Sequence, residues 1–196
     1  MRLQKTVLLM ALLMPVTGFC AKWQVPSNVA TTADGKYMES VDFSYHTDQP
    51  GNFSKLKMCI AENITNGAVS LQDSAGSFVG PATGTYYNNA KSQTVQGGGI
   101  FKYVDETNSA LIASGTADGG SAAFGLTRDI VKFDLKVAVE SSTITLRFNN
   151  ITRAQQNTGS VANNGFTPVG MWRGAGAQRI YESLDAIEDK IKTCVQ

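Results

Sequence analysis

The only histidine of the 196-residue chain is His46, and any Ser–His–Asp arrangement would have to use it. It stands one residue past Tyr45 on the polar phase of an alternating segment, where a solvated imidazole is the plainer reading. A single histidine cannot furnish a histidine-rich zinc site, and Cys59 with Cys194 would need further ligands. Carboxylate pairs could support glycoside hydrolysis. Glu39 and Asp42 are close in sequence and Asp105-Glu106 occupies a turn, but all four read as surface charge. Gly97-Gly98-Gly99 precedes a strand, so it lacks the helix N-terminus that a phosphate-cradling loop requires. The sequence therefore assigns no catalytic residue, no metal ligand and no cofactor.

Residues suited to binding are easier to find. Tyr86 and Tyr87, followed by Asn88 and Asn89, lie in a long polar stretch. Adjacent tyrosines on an extended segment point to opposite sides, so one of them is expected to be exposed, where it could meet a carbohydrate or a peptide. Trp172 and Arg173 stand among Gly170, Gly174 and Gly176, and an aromatic and an arginine beside small residues can form a binding hot spot. The competing reading makes Trp172 a plug at the end of the core. Asn63-Ile64-Thr65 and Asn150-Ile151-Thr152 fit the glycosylation acceptor pattern, but Ile64 belongs to a buried helix face, and chance occurrence is the simpler account of both.

Compartment follows from the N-terminus and from cysteine parity. Arg2 and Lys5 precede an apolar run, Thr6 to Met14, ended by Pro15, which is the pattern of a signal peptide over residues 1–20. The run is too short to span a bilayer as a helix. Gly18 and Cys20 are small residues suited to cleavage before Ala21. The alternative is a lipid-modified Cys20, as in an outer-membrane lipoprotein, although Phe19 departs from the small residue that such sites carry. Of the 3 cysteines, removal of Cys20 leaves Cys59 and Cys194, which are expected to pair in an oxidising compartment. Removing Arg2 and Lys5 from the 17 basic residues leaves 15 against 16 acidic, a balance of −1. That balance favours neither nucleic acid nor an anionic membrane surface.

The elements that position these residues can be read from periodicity. Residues 21–36 are small and polar and read as a flexible N-terminal arm, followed by one α+β domain over 37–196. Val41, Phe43 and Tyr45 alternate with polar residues, as a half-buried strand does. Asp48-Gln49-Pro50-Gly51 breaks it. A helix follows, capped by Asn52 or Ser54, with Phe53, Leu56, Ile60 and Ile64 on its apolar face, Cys59 bordering that face and Asn66-Gly67 at its end. A short strand is expected at 68–71, a long polar loop at 73–96, a hairpin at 100–104 and 110–116, and a flexible loop at 118–121. Val131 to Val139 and Ile144 to Phe148 alternate on either side of Ser141-Ser142, which predicts an antiparallel hairpin with one wet face. Residues 152–170 read as a second long loop, and Thr167-Pro168 as a helix start. Ile180, Leu184, Ile187, Ile191 and Cys194 step by four and three along the last helix, so Cys194 shares its apolar stripe.

These elements predict a two-layer α+β sandwich, a curved antiparallel sheet with two helices packed on one face. The order of elements over residues 37–196 resembles the TBP-like layout found in exported bacterial domains of unknown function. A helix-grip layout, with a ligand cavity between sheet and last helix, is the second resemblance. Neither implies a catalytic residue. The functional expectation is an exported, periplasmic or secreted, non-catalytic module that binds an unidentified protein or small molecule through its long loops. The alternative is a ligand-carrying or hydrolytic domain with an internal cavity.

Overall fold

The computed structural model describes residues 23–47, 53–122 and 127–196. The signal segment with Gly18, Cys20 and Ala21, the breaker at 48–51 and the Asn52 cap lie outside the described residues. The described residues form a seven-stranded antiparallel sheet and two helices, with two smaller two-stranded ribbons. The order along the chain is β1 (Val29–Thr31), β2 (Met38–His46), α1 (Phe53–Asn63), β3 (Val69–Asp73), β4 (Phe78–Val79), β5 (Tyr86–Tyr87), β6 (Lys91–Val95), β7 (Phe101–Asp105), β8 (Ala110–Ala122), β9 (Thr127–Glu140), β10 (Thr143–Gln155), β11 (Thr167–Pro168) and α2 (Ala177–Val195). The main sheet runs β1-β2-β10-β9-β8-β7, with β11 added to β10. The fold is an α+β sandwich.

The expected hairpin is the centre of this sheet. Ile144 pairs with Val139, Leu146 with Val137 and Phe148 with Leu135, which is the register that keeps every apolar side chain on one face. Ser141 turns the chain at φ 55°. On that face Val131, Phe133, Leu135, Leu146 and Phe148 are sealed beneath Leu56, Ile60, Ile180, Leu184 and Ile191 of the two helices. These side chains pack between sheet and helices, where a helix-grip cavity would lie. Cys59 and Cys194 form a disulfide between α1 and α2, with their Cα atoms 5.7 Å apart. Beside it, Lys55 of α1 donates to the carbonyl of Val195, 2.7 Å away.

Several local expectations are corrected. The N-terminal segment is not wholly a loose arm, because Val29–Thr31 pair with β2. Ser54 lies inside α1 and does not cap it, and α1 ends at Asn63, before Asn66-Gly67. Residues 118–121 continue β8 through a bulge between Asp118 and Ser121. A Cβ at Gly119 would stand 2.8 Å from Ile180 Cδ1 and 2.9 Å from Val131 Cγ2. The glycine there serves close approach of α2, not loop flexibility. β10 runs on to Gln155 after its own bulge, so the second polar loop begins later than expected.

Thr167-Pro168 is a short strand against Thr152 and Arg153, not a helix start. β11 pairs only with β10, and proline, which cannot donate, is tolerated at such an edge. α2 begins at Ala177, and Gly176 turns into it at φ 89°. Gly170, Gly174 and Gly176 therefore precede the helix. Asp129 of β9 lies buried beneath this helix start. It accepts from Arg153 and Arg179, each 2.9 Å away, and so ties α2 to two neighbouring strands.

Candidate interaction surface

The stretch expected to be a polar loop at 73–96 is an arm. β3 and β6 pair from Val69↔Val95 to Asp73↔Lys91, and β4 and β5 pair as Phe78↔Tyr87 and Val79↔Tyr86 beyond them. The root of the arm is clasped by the backbone. Gly98 N–H donates to the carbonyl of Asn66 at 3.0 Å, and Asn66 Nδ2 donates to that of Gly99 at 3.1 Å. A Cβ at Gly97 would fall 2.1 Å from the Asn66 carbonyl oxygen. The glycine run is thus the place where the two legs of the arm meet.

The loop that follows β10 straps the arm to the sheet. Gln72 N–H donates to Gln156 O at 2.8 Å, Thr158 N–H to Gln72 O at 3.1 Å and Ser74 N–H to Gly159 O at 2.7 Å. Asn163 gives its N–H to the Asp73 carboxylate and its Nδ2 to the carbonyls of Gln72 and Gln155. The N–H groups of Asn163 and Ala75 hold Asp73 below the usual carboxylate range. Leu71, only 1% exposed, anchors the leg nearest the body.

At the far end the side chains face water. Phe78 is 54% exposed, Val79 60%, Tyr86 60% and Tyr87 48%. The rings of Phe78 and Tyr87 stack with centroids 4.8 Å apart and planes 16° from parallel. Both tyrosines are exposed, rather than one alone, because a two-stranded ribbon with nothing behind it has no inner face. Phe78 shares one face of the ribbon with Tyr87 and Val79 shares the other with Tyr86, and sequence reading missed both as binding candidates. The signal available was their apolar character inside a polar stretch.

Trp172 and Arg173 lie elsewhere, in the turn that leads to α2. Trp172 is 57% exposed and does not plug the core. Its ring lies over Gly170, where a Cβ would come within 2.3 Å of it, and meets Tyr37 edge-on with centroids 5.8 Å apart. Arg173 is exposed beside it. The four candidate binding residues therefore occupy two separate supports, the arm tip and the helix approach.

The remaining candidates for chemistry are engaged individually. His46 is exposed, with Nδ1 3.1 Å from Ser142 Oγ. Asp42 pairs with Arg147 at 3.5 Å. Asp42 and His46 share a strand face four residues apart, which is ~13 Å at the rise of a strand, too far for one to orient the other. Asp105 accepts from the backbone of Thr107 and Asn108 in its own turn, and Glu106 pairs with Lys57 of α1. Asn63 Nδ2 donates to Cys59 O and Asn150 Nδ2 to Asp134, so both acceptor-pattern asparagines are held by the fold. Among the described residues, no three His, Cys, Asp or Glu side chains form a metal-ligating group, and no helix is long and apolar enough to cross a membrane.

No family model and no curated protein matches the chain. Among solved structures it is similar to a DUF4468 family protein from Bacteroides ovatus. The likeness has a TM-score of 0.42 and 8% identity, and covers 86% of this chain and 84% of that one. The functional reading therefore rests on the geometry above.

Proposed function

We propose that the chain is an exported, non-catalytic binding module that meets a protein partner through the tip of its arm. The observation that carries this reading is the end of the strapped ribbon, where Phe78 and Tyr87 on one face and Val79 and Tyr86 on the other are all about half exposed or more. Clustered exposed apolar side chains mark interaction surfaces more often than scattered ones do. Aromatic side chains lose little conformational entropy when they become buried, which suits them to anchor positions. The backbone straps reduce the ordering cost that a free loop would add to association. Export is supported by the basic and apolar residues before Cys20 and by the Cys59–Cys194 disulfide. With the short strands β1 and β11 set aside, the sheet order strand, helix, four strands, helix supports the TBP-like layout.

The test is co-purification from cell-envelope extract under native conditions. The wild type is expected to retain a discrete partner, and the Phe78→Ser/Tyr87→Ser variant to lose it while keeping the same thermal midpoint. Retention of the same partner by the double variant would remove the arm from the reading. Intact mass of the mature protein tests export: the expected chain begins at Ala21 and lacks two hydrogens for the disulfide.

A further inference from the structure

The face of the sheet turned away from the helices holds a second feature, independent of the arm. A cavity of about 610 Å³ lies over it, lined by Glu39, Lys102, Asp134, Lys136, Arg147 and Asn149 among others. Lys136 of β9 and Arg147 of β10 are direct cross-strand partners on this face. Two cations opposite one another destabilise a sheet unless something neutralises them. Two of the three nearby acids are already committed, while Glu39, exposed at the rim, has no ion pair among the described residues. Asp134 accepts from Lys102 Nζ at 2.6 Å, Ser114 Oγ at 2.5 Å and Asn150 Nδ2 at 2.8 Å. Asp42 flanks Arg147 from the far strand, 3.5 Å away and half exposed. Among the described residues, no ion pair or hydrogen bond engages Lys136 or the Asn149 amide. Asn149 stands two residues beyond Arg147 on the same face, beside Asp134. Ile112, the other cross-strand neighbour of Lys136, gives the cavity a half-buried apolar floor.

We propose that this cavity binds the oxyanion group of a small molecule, a carboxylate or a phosphate, between Lys136 and Arg147. The two cations supply charge, the planar guanidinium can meet two oxygens at once, and Asn149 supplies a neutral donor. Asp134, engaged by three donors, holds Lys102 and Asn150 in place and forms one wall. The apolar floor at Ile112 would receive the carbon skeleton that carries the anion.

The experiment is a titration of the full mature protein followed by amide and side-chain NMR. Inorganic phosphate and citrate are used as separate probes, at ionic strength held constant with chloride. Saturable shifts confined to residues 102, 112, 134–136 and 147–150 are expected with at least one probe. The Lys136→Gln/Arg147→Gln variant should weaken that binding at least tenfold. Lys132→Gln, one row away on the same face, should leave it unchanged. Saturation by citrate alone assigns a carboxylate ligand, and saturation by phosphate alone assigns a phosphate ester. Shifts that grow linearly with both probes, or saturable shifts that survive the double substitution, would overturn the proposal. The amide spectrum of the double variant, both of whose changes are at exposed side chains, establishes that it is folded.

Discussion

Cys59, wholly buried on α1, is bonded to Cys194 on the last turn of α2, 135 residues away in sequence. The bond closes most of the domain into one loop and fixes two helices that share a single sheet face. Chain-entropy arguments allow up to about 5 kcal/mol for such a loop, and measured values more often fall near 2–4 kcal/mol. The Cys59→Ala/Cys194→Ala variant is expected to lose stability in that range in urea melts. A variant as stable as the wild type would show that helix packing alone holds the layer together.

Tyr45 and Glu188 face one another under α2. Burial first, and the Glu188 carboxylate second, push the Tyr45 hydroxyl up to about 12, and its oxygen is buried without a hydrogen-bond partner among the described residues. Tyr45→Phe removes an unsatisfied group and should stabilise the protein by about 1 kcal/mol. Glu188 is 4% exposed. Burial raises its carboxyl above the ordinary 4.5, against the nearby charge of Lys192 and with help from Asp189 and Asp185. An acid with a raised folded value binds its proton more tightly when folded, so stability falls as pH rises from 4.5 through that value. Glu188→Gln should therefore be more stable than wild type at pH 7, and the difference should vanish below pH 4. Urea melts across that range read both effects.

Asp134 behaves in the opposite sense. Burial works against its ionisation, but hydrogen bonds from Lys102, Ser114 and Asn150, with the charge of Lys102, outweigh it and hold the carboxyl below 3.8. Its contribution is present above the unfolded value and is lost as pH falls through the folded one. Asp134→Ala should destabilise the protein at pH 7 and reduce the steepness of acid unfolding below pH 4. An unchanged acid limb would separate the hydrogen-bond cluster from stability.

Gly115 of β8 packs between Ile64, just past the end of α1, and Phe133 of β9. A Cβ there would lie 2.6 Å from Ile64 Cγ2 and 2.7 Å from Phe133 Cζ. Gly115→Ala should cost about 1–3 kcal/mol through overpacking, measured as a shift of the denaturation midpoint with an unchanged slope.

What could be read from sequence was whatever carries a one-sided burial pattern. Val131 to Phe148 alternate because one face is sealed, Ile180 to Cys194 step by three and four for the same reason, and the two cysteines fall on or beside those stripes. Of the arm, only the strand expected at 68–71 could be read this way, and it is β3 at Val69–Asp73. The other three strands are exposed on both sides, so no burial alternation distinguishes Lys91–Val95 from a polar loop. Val29–Thr31 is too short to show a period. Asp118-Gly119-Gly120 looked like a turn because glycine signals both flexibility and close packing, and only the position of Ile180 separates the two. Of the candidate site, Tyr86, Tyr87 and Trp172 were visible as aromatics in polar surroundings. The pairing of Lys136 with Arg147 needed the register of β9 on β10.

The claim that the arm tip is the contact surface is tested most directly by photo-crosslinking in the living cell. A photoreactive phenylalanine analogue is placed at Tyr86 and, separately, at exposed Gln178 on α2 as a control. A discrete adduct of constant mass from position 86, absent from position 178, is the predicted result. No adduct from position 86, or the same adducts from both positions, would contradict it.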